Sequence, residues 1–153
     1  MTTHVSQPHL RAWSLLLATQ TALVAAVEDA LAQADLPPLA WYDVLWPLHE
    51  ADRPLRMGEL SAGVVTIGRT GLTRLVDRLA AAGMLKRTPS KTDRRGVEVV
   101  ITAEGKRLLK RMWPVYATVV NSRFATVLDE GDAAQLTDLL ERIAVRSPSA
   151  ATA

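Results

Sequence analysis

Four side chains in the run Arg69-Thr70-Gly71-Leu72-Thr73-Arg74 are suited to gripping a nucleic-acid duplex: Arg69, Thr70, Thr73 and Arg74. A guanidinium can span the O6 and N7 of guanine with two hydrogen bonds, and a threonine methyl can meet the methyl of thymine. Arg69, Thr70 and Thr73 are expected at bases or adjacent phosphates, and Arg74 is divided between the two. A second basic group follows in Ser90-Lys91-Thr92-Asp93-Arg94-Arg95-Gly96. Lys91, Arg94 and Arg95 there could meet phosphates, and arginine at a loop tip gains from the negative potential of a narrow minor groove. Asp93 is placed to pair with one of those arginines and hold the loop in shape. The plainer alternative for each of these residues is a solvated charge.

Eight of the 18 Lys and Arg lie between Arg69 and Arg95 against two acids, Asp77 and Asp93, while the rest of the chain holds 10 bases and 14 acids. A net charge of only +2 thus conceals a strongly positive segment on a negative scaffold. Neutralising phosphates with clustered Lys and Arg releases counterions, which is the main source of affinity for a polyanion.

The elements that must position these residues are mostly helical. Leu72, Leu75, Val76 and Leu79 recur at i, i+3, i+4 and i+7, so a helix from Arg69 to about Ala82 buries that side and turns Arg69, Thr70, Thr73, Arg74 and Asp77 to its outer and flanking faces. Thr66 or Gly68 is its expected cap, and Gly83 its stop. A short helix from Gly58 to Gly63 precedes it by about four residues, the spacing of a helix-turn-helix. Leu85 to Thr88 and the β-branched Gly96 to Thr102 read as two strands joined by the basic loop, a two-stranded wing.

Before this segment, Trp13, Leu17, Gln20, Val24, Val27 and Leu31 form one seam at alternating steps of four and three on a helix from Leu10 to about Ala34. Its apolar stripe is wider than one contact uses, which suits a helix shared between a core and a subunit interface. Leu36-Pro37-Pro38 ends it. A second helix runs from Leu39 to about Ala51, with Pro47 expected to kink it or free the Asp43 carbonyl. After the wing, a helix from Lys106 to about Leu128, bent at Trp113-Pro114, leads to a final amphipathic helix carrying Leu136, Leu139, Leu140 and Ile143.

With 153 residues and 48% hydrophobic side chains the chain is long and apolar enough to fold as one unit. The absence of cysteine excludes disulfides, thiolate metal sites and thiol redox switching. The three histidines fall in no metal-ligand spacing, and no catalytic constellation or phosphate-binding glycine loop is present. No enzyme activity, cofactor or metal is expected. Neither a signal peptide nor an apolar run of the roughly 18 to 20 residues that span a bilayer is expected either, which points to a cytoplasmic protein without a membrane partner.

Several motifs then converge. Gly71-Leu72-Thr73-Arg74-Leu75-Val76-Asp77-Arg78-Leu79, Gly83-Met84-Leu85, Asp93-Arg94-Arg95-Gly96 and Thr102-Ala103-Glu104-Gly105, with their spacing, resemble the MarR family of bacterial transcriptional regulators over about Leu10 to Ile143. The resemblance implies a mainly α fold with a small β-wing: a winged helix-turn-helix domain plus N- and C-terminal dimerisation helices. The divisions are residues 1–36 and 105–146 for dimerisation, 37–104 for DNA binding, and 147–153 as a tail. It also implies a homodimer on double-stranded DNA with a pseudo-palindromic operator, and a repressor released by a small aromatic effector. Gly68 stands where many members carry Ser. Trp13, Tyr42 and Trp46 are the first candidates for an effector pocket, although aromatics at helical spacing also serve as core. The alternative function is a winged-helix protein-interaction module without specific DNA reading.

Overall fold

The computed structural model describes residues 4–64, 69–90 and 96–146. Their elements follow the order α1 (Gln7–Gln33), α2 (Leu39–Ala51), β1 (Leu55–Arg56), α3 (Met57–Gly63), α4 (Arg69–Ala81), β2 (Leu85–Pro89), β3 (Val97–Ile101), α5 (Ala103–Val120) and α6 (Glu130–Arg146). The architecture is the expected one, mainly helical with a small sheet, and it differs from the sequence reading in instructive places.

The wing sheet has three strands among the described residues, not two: β3 lies in the middle, antiparallel to both β1 and β2. Strand β1 pairs Leu55 with Val99 and Arg56 with Glu98. Two residues carry no periodicity of their own, so only the tertiary pairing makes them a strand. Helix α3 follows at once, its start held by the Arg56 N–H donating to Glu59 Oε2 at 2.8 Å and by the Arg53–Glu59 ion pair at 2.8 Å.

The core is built where α2, α4, α5 and the sheet meet. Val44, Leu45, Leu48, Leu60, Val76, Leu79, Val99 and Met112 are fully buried there. Helix α2 runs unbroken through Pro47 and α5 through Pro114. α5 stops at Val120, short of the expected Leu128, and widens into a π-helical turn, Asn121–Ala125, in which the Thr126 N–H reaches the Asn121 carbonyl.

α1 divides its seam. Val27 and Leu31 enter the core, whereas Trp13 and Leu17 remain 60% and 47% exposed. On α6, Leu139, Leu140 and Ile143 are exposed too. Between the two helices lies an open apolar groove of about 990 Å³, lined by residues that include Trp13, Leu16, Leu23, Phe124, Leu140 and Ile143. One expectation is corrected here: α1 contains an 18-residue window of mean hydropathy 1.5, so by length and composition it is sufficient to cross a membrane. Residues 12–27 carry no charge, and the Thr and Gln among them interrupt the apolar run without lowering its average much.

Candidate nucleic-acid interface

Helix α4 has one face for the core and one for solvent. Leu72, Leu75, Val76 and Leu79 are buried, while Thr73, Arg74, Asp77 and Arg78 are exposed. Thr73 and Asp77 stand four residues apart, and Arg74 and Asp77 three apart, so these three share the outward side. Arg69 and Thr70 occupy the first turn of the same helix. Their side chains lie outside the described residues, as do the expected caps Thr66 and Gly68 and the wing-tip residues Lys91, Asp93, Arg94 and Arg95.

The end of α4 is fixed by a chain of backbone contacts. Gly83 adopts a left-handed φ of 75°. Its N–H donates to the Ala80 carbonyl and the Met84 N–H to the Leu79 carbonyl, the paired bonds of a Schellman stop. Thr102 joins this stop to α5: its hydroxyl donates to the Gly83 carbonyl at 2.6 Å and accepts from the Gly105 N–H at 3.1 Å. The Thr-x-x-Gly spacing thereby ties the end of α4, the wing and α5 into one unit. At the other end of the sheet, the Ser90 N–H donates to the Gly96 carbonyl at 2.9 Å and the Ser90 hydroxyl to Glu98 Oε1 at 2.7 Å. The loop carrying the basic tip is therefore closed at its base.

Arg87, which the sequence reading did not single out, lies beside the outward face of α4. Leu85 and Arg87 point to the same side of β2. Leu85 is buried, and Arg87 Nη2 reaches Asp77 Oδ1 at 2.6 Å. Asp77 therefore joins α4 to the wing. A basic residue two positions after a buried strand residue, ten after an acid on the preceding helix, was the available signal.

The aromatic residues separate into two places. Tyr42 stacks on Trp46 (5.7 Å between centroids, 9° between planes) and on Tyr116 (5.0 Å, 10°), and Trp46 on Trp113 (6.1 Å, 14°). Trp13 is elsewhere, in the groove between α1 and α6, so the three pocket candidates are not brought together. The stack arises because Tyr42 and Trp46 sit one turn apart on α2 and Trp113 and Tyr116 one turn apart on α5. Burial, then the neighbouring Tyr116, Asp43 and Glu50, push the Tyr42 hydroxyl up to about 12. Tyr116 is raised by burial and by Asp43.

Comparison with known proteins agrees with this geometry. The MarR family model matches residues 34–96, which run from the end of α1 through the wing loop. The HTH-type transcriptional regulator MhqR of Bacillus subtilis (strain 168) is 28% identical over 99 residues, spanning 65% of this chain and 66% of that protein, just under two thirds of its length. Among solved structures, the Streptomyces coelicolor MarR family transcriptional regulator Sco3205, determined in complex with DNA, superposes with a TM-score of 0.86 at 26% identity, covering 99% of this chain and 96% of that one. AbsC from the same organism, also a MarR family transcriptional regulator, gives 0.83 at 24% identity over 95% of this chain and 97% of that one. The helix-turn-helix and wing segment, residues 34–96, thus matches the MarR family of transcriptional regulators, and the chain shares the fold of MarR family regulators over nearly its full length.

Proposed function

We propose that the protein is a homodimeric transcriptional regulator, a repressor that binds a pseudo-palindromic operator and responds to a small aromatic effector. The observation that carries this reading is the two-sidedness of α4, whose apolar face is spent on the core while Thr73 and Arg74 are turned outward. A major groove admits one helix, and two helices held by a dimer read two half-sites about one helical turn apart. Arg69 and Thr70 extend the reading face by sequence. Lys91, Arg94 and Arg95 flank the duplex from the wing, with Asp93 shaping the tip.

The exposed apolar sides of α1 and α6 support the dimer. A soluble monomer rarely leaves so large a contiguous apolar surface open, and a second copy can close it. Val27 and Leu31 are committed to the core, which favours a protein partner over lipid as the cover for α1 and a cytoplasmic place of action. Residues 1–36 and 105–146 then dimerise and 37–104 bind DNA; the expected tail, 147–153, lies outside the described residues. The stack of Tyr42, Trp46, Trp113 and Tyr116 lies between the helix-turn-helix lobe and α5, where a planar effector would bias the spacing of the two lobes; Trp13 would contribute there only across the dimer.

Gel-shift titration on the intergenic DNA beside the protein's own gene tests the reading. The expected outcome is a discrete shift that survives competition by unrelated duplex. No shift at low salt on any neighbouring intergenic fragment would overturn it in favour of a protein-interaction module.

A further inference from the structure

We propose that Arg87 is a DNA-backbone contact and that Asp77 is the residue that positions it, an inference that rests on the DNA-binding reading above. Asp77 stands on the outward side of α4 with Thr73 and Arg74, where a bare carboxylate would repel the phosphates that the surrounding bases attract. Arg87 removes that difficulty, with Nη2 2.6 Å from Asp77 Oδ1. The contact uses one nitrogen of a guanidinium that carries five N–H donors in a fixed fork. Arg87 keeps 39% of its side chain exposed, so the guanidinium is accessible to a ligand.

The position of the pair gives it a purpose. β2 is anchored by buried Leu85, and two residues later Arg87 reaches back to the middle of α4. Its guanidinium is thus held at the seam between the helix that enters one groove and the wing that flanks the duplex. A phosphate strand separates those two grooves, and a pinned guanidinium at the seam meets it. Pinning matters because a free arginine must lose rotamer freedom when it docks, and Asp77 imposes that order before DNA arrives. An exposed ion pair of this kind contributes little to folding, so its value lies in binding.

Fluorescence anisotropy of the full-length protein on its footprinted operator duplex, over a series of salt concentrations, tests both roles. Arg87→Ala should weaken binding and lower the slope of log K against log salt by about 0.9 per chain, while Arg87→Lys should keep the slope. Asp77→Ala removes a negative charge, so simple repulsion predicts tighter binding; the positioning role predicts binding several-fold weaker. That loss should vanish when Asp77→Ala is made in the Arg87→Ala background, and Asp77→Glu should restore part of it. Urea midpoints should be unchanged in all five variants. An unchanged slope in Arg87→Ala, tighter binding in Asp77→Ala, or an equal Asp77→Ala loss in both backgrounds would overturn the proposal. Failure of the unsubstituted protein to bind any duplex would instead remove the DNA-binding reading itself, and the proposal with it.

Discussion

Gly105 packs so closely on Met84 that a β-carbon on it would overlap the Met84 carbonyl oxygen and stand 2.7 Å from Ile101 Cγ1. Both neighbours are held: Met84 accepts the Thr102 N–H at 3.0 Å, and Ile101 is buried in the sheet. Gly105→Ala should therefore destabilise the fold by about 3 kcal/mol, the upper end for overpacking. Gly83 differs, because its φ is 75° but nothing lies within 4 Å of a β-carbon there. Gly83→Ala should cost only the left-handed conformation, about 1 kcal/mol. Urea denaturation of the two variants checks the order. Equal destabilisation would contradict the packing constraint at Gly105.

The same contrast marks how much was legible in the sequence. Gly83 as a helix stop and the buried face of α4 could be read from local chemistry, and Thr102 to Gly105 as a motif from the family resemblance. The register that brings Gly105 against Met84 could not, since it depends on the return of β3 beside β2. Strand β1 and the Asp77–Arg87 pair were hidden for the same reason. The pocket candidates are not brought together within one chain, because helical spacing indicates which residues share a face and not which helix that face meets: Tyr42 and Trp46 meet α5, while Trp13 lines the groove.

The tyrosines give the fold a signature at alkaline pH. The chain has two, and both are raised above the ordinary value of 10, Tyr42 to about 12. Because the folded values exceed the unfolded ones, the stability linked to them is complete below about pH 10 and is lost as pH climbs through the folded values. Absorbance at 295 nm should show tyrosinate forming above pH 10 in the native protein and near pH 10 in urea. Tyr42→Phe should flatten the loss of stability between pH 10 and 12. Native titration of both tyrosines near pH 10 would contradict the buried stack.

The dimer reading predicts a clean separation between association and folding. Leu139 and Ile143 are each 50% exposed on α6 and line the groove with α1. Leu139→Glu with Ile143→Glu places two charges on that surface without touching the core. Sedimentation should change from about twice the 16.6 kDa chain mass to the monomer mass, and helical circular dichroism should keep a cooperative unfolding transition. An unchanged dimer would remove the groove from the interface.

The wing arginines should act through charge. Arg94→Ala with Arg95→Ala is expected to weaken operator binding and to lower the salt slope by up to about 1.8 per chain, 0.9 for each phosphate left without its arginine. The dimer mass should not change. A slope equal to that of the unsubstituted protein would mean the wing does not touch DNA.

The central claim is that two copies of α4 read one duplex from a dimer. Hydroxyl-radical footprinting of the operator, with stoichiometry taken from the same titration at saturating DNA, tests it most directly. The account predicts two chains per site and two protected half-sites centred about 10 base pairs apart, with flanking protection from the wings. One chain per site, or a single uninterrupted patch with no half-site spacing, would contradict it.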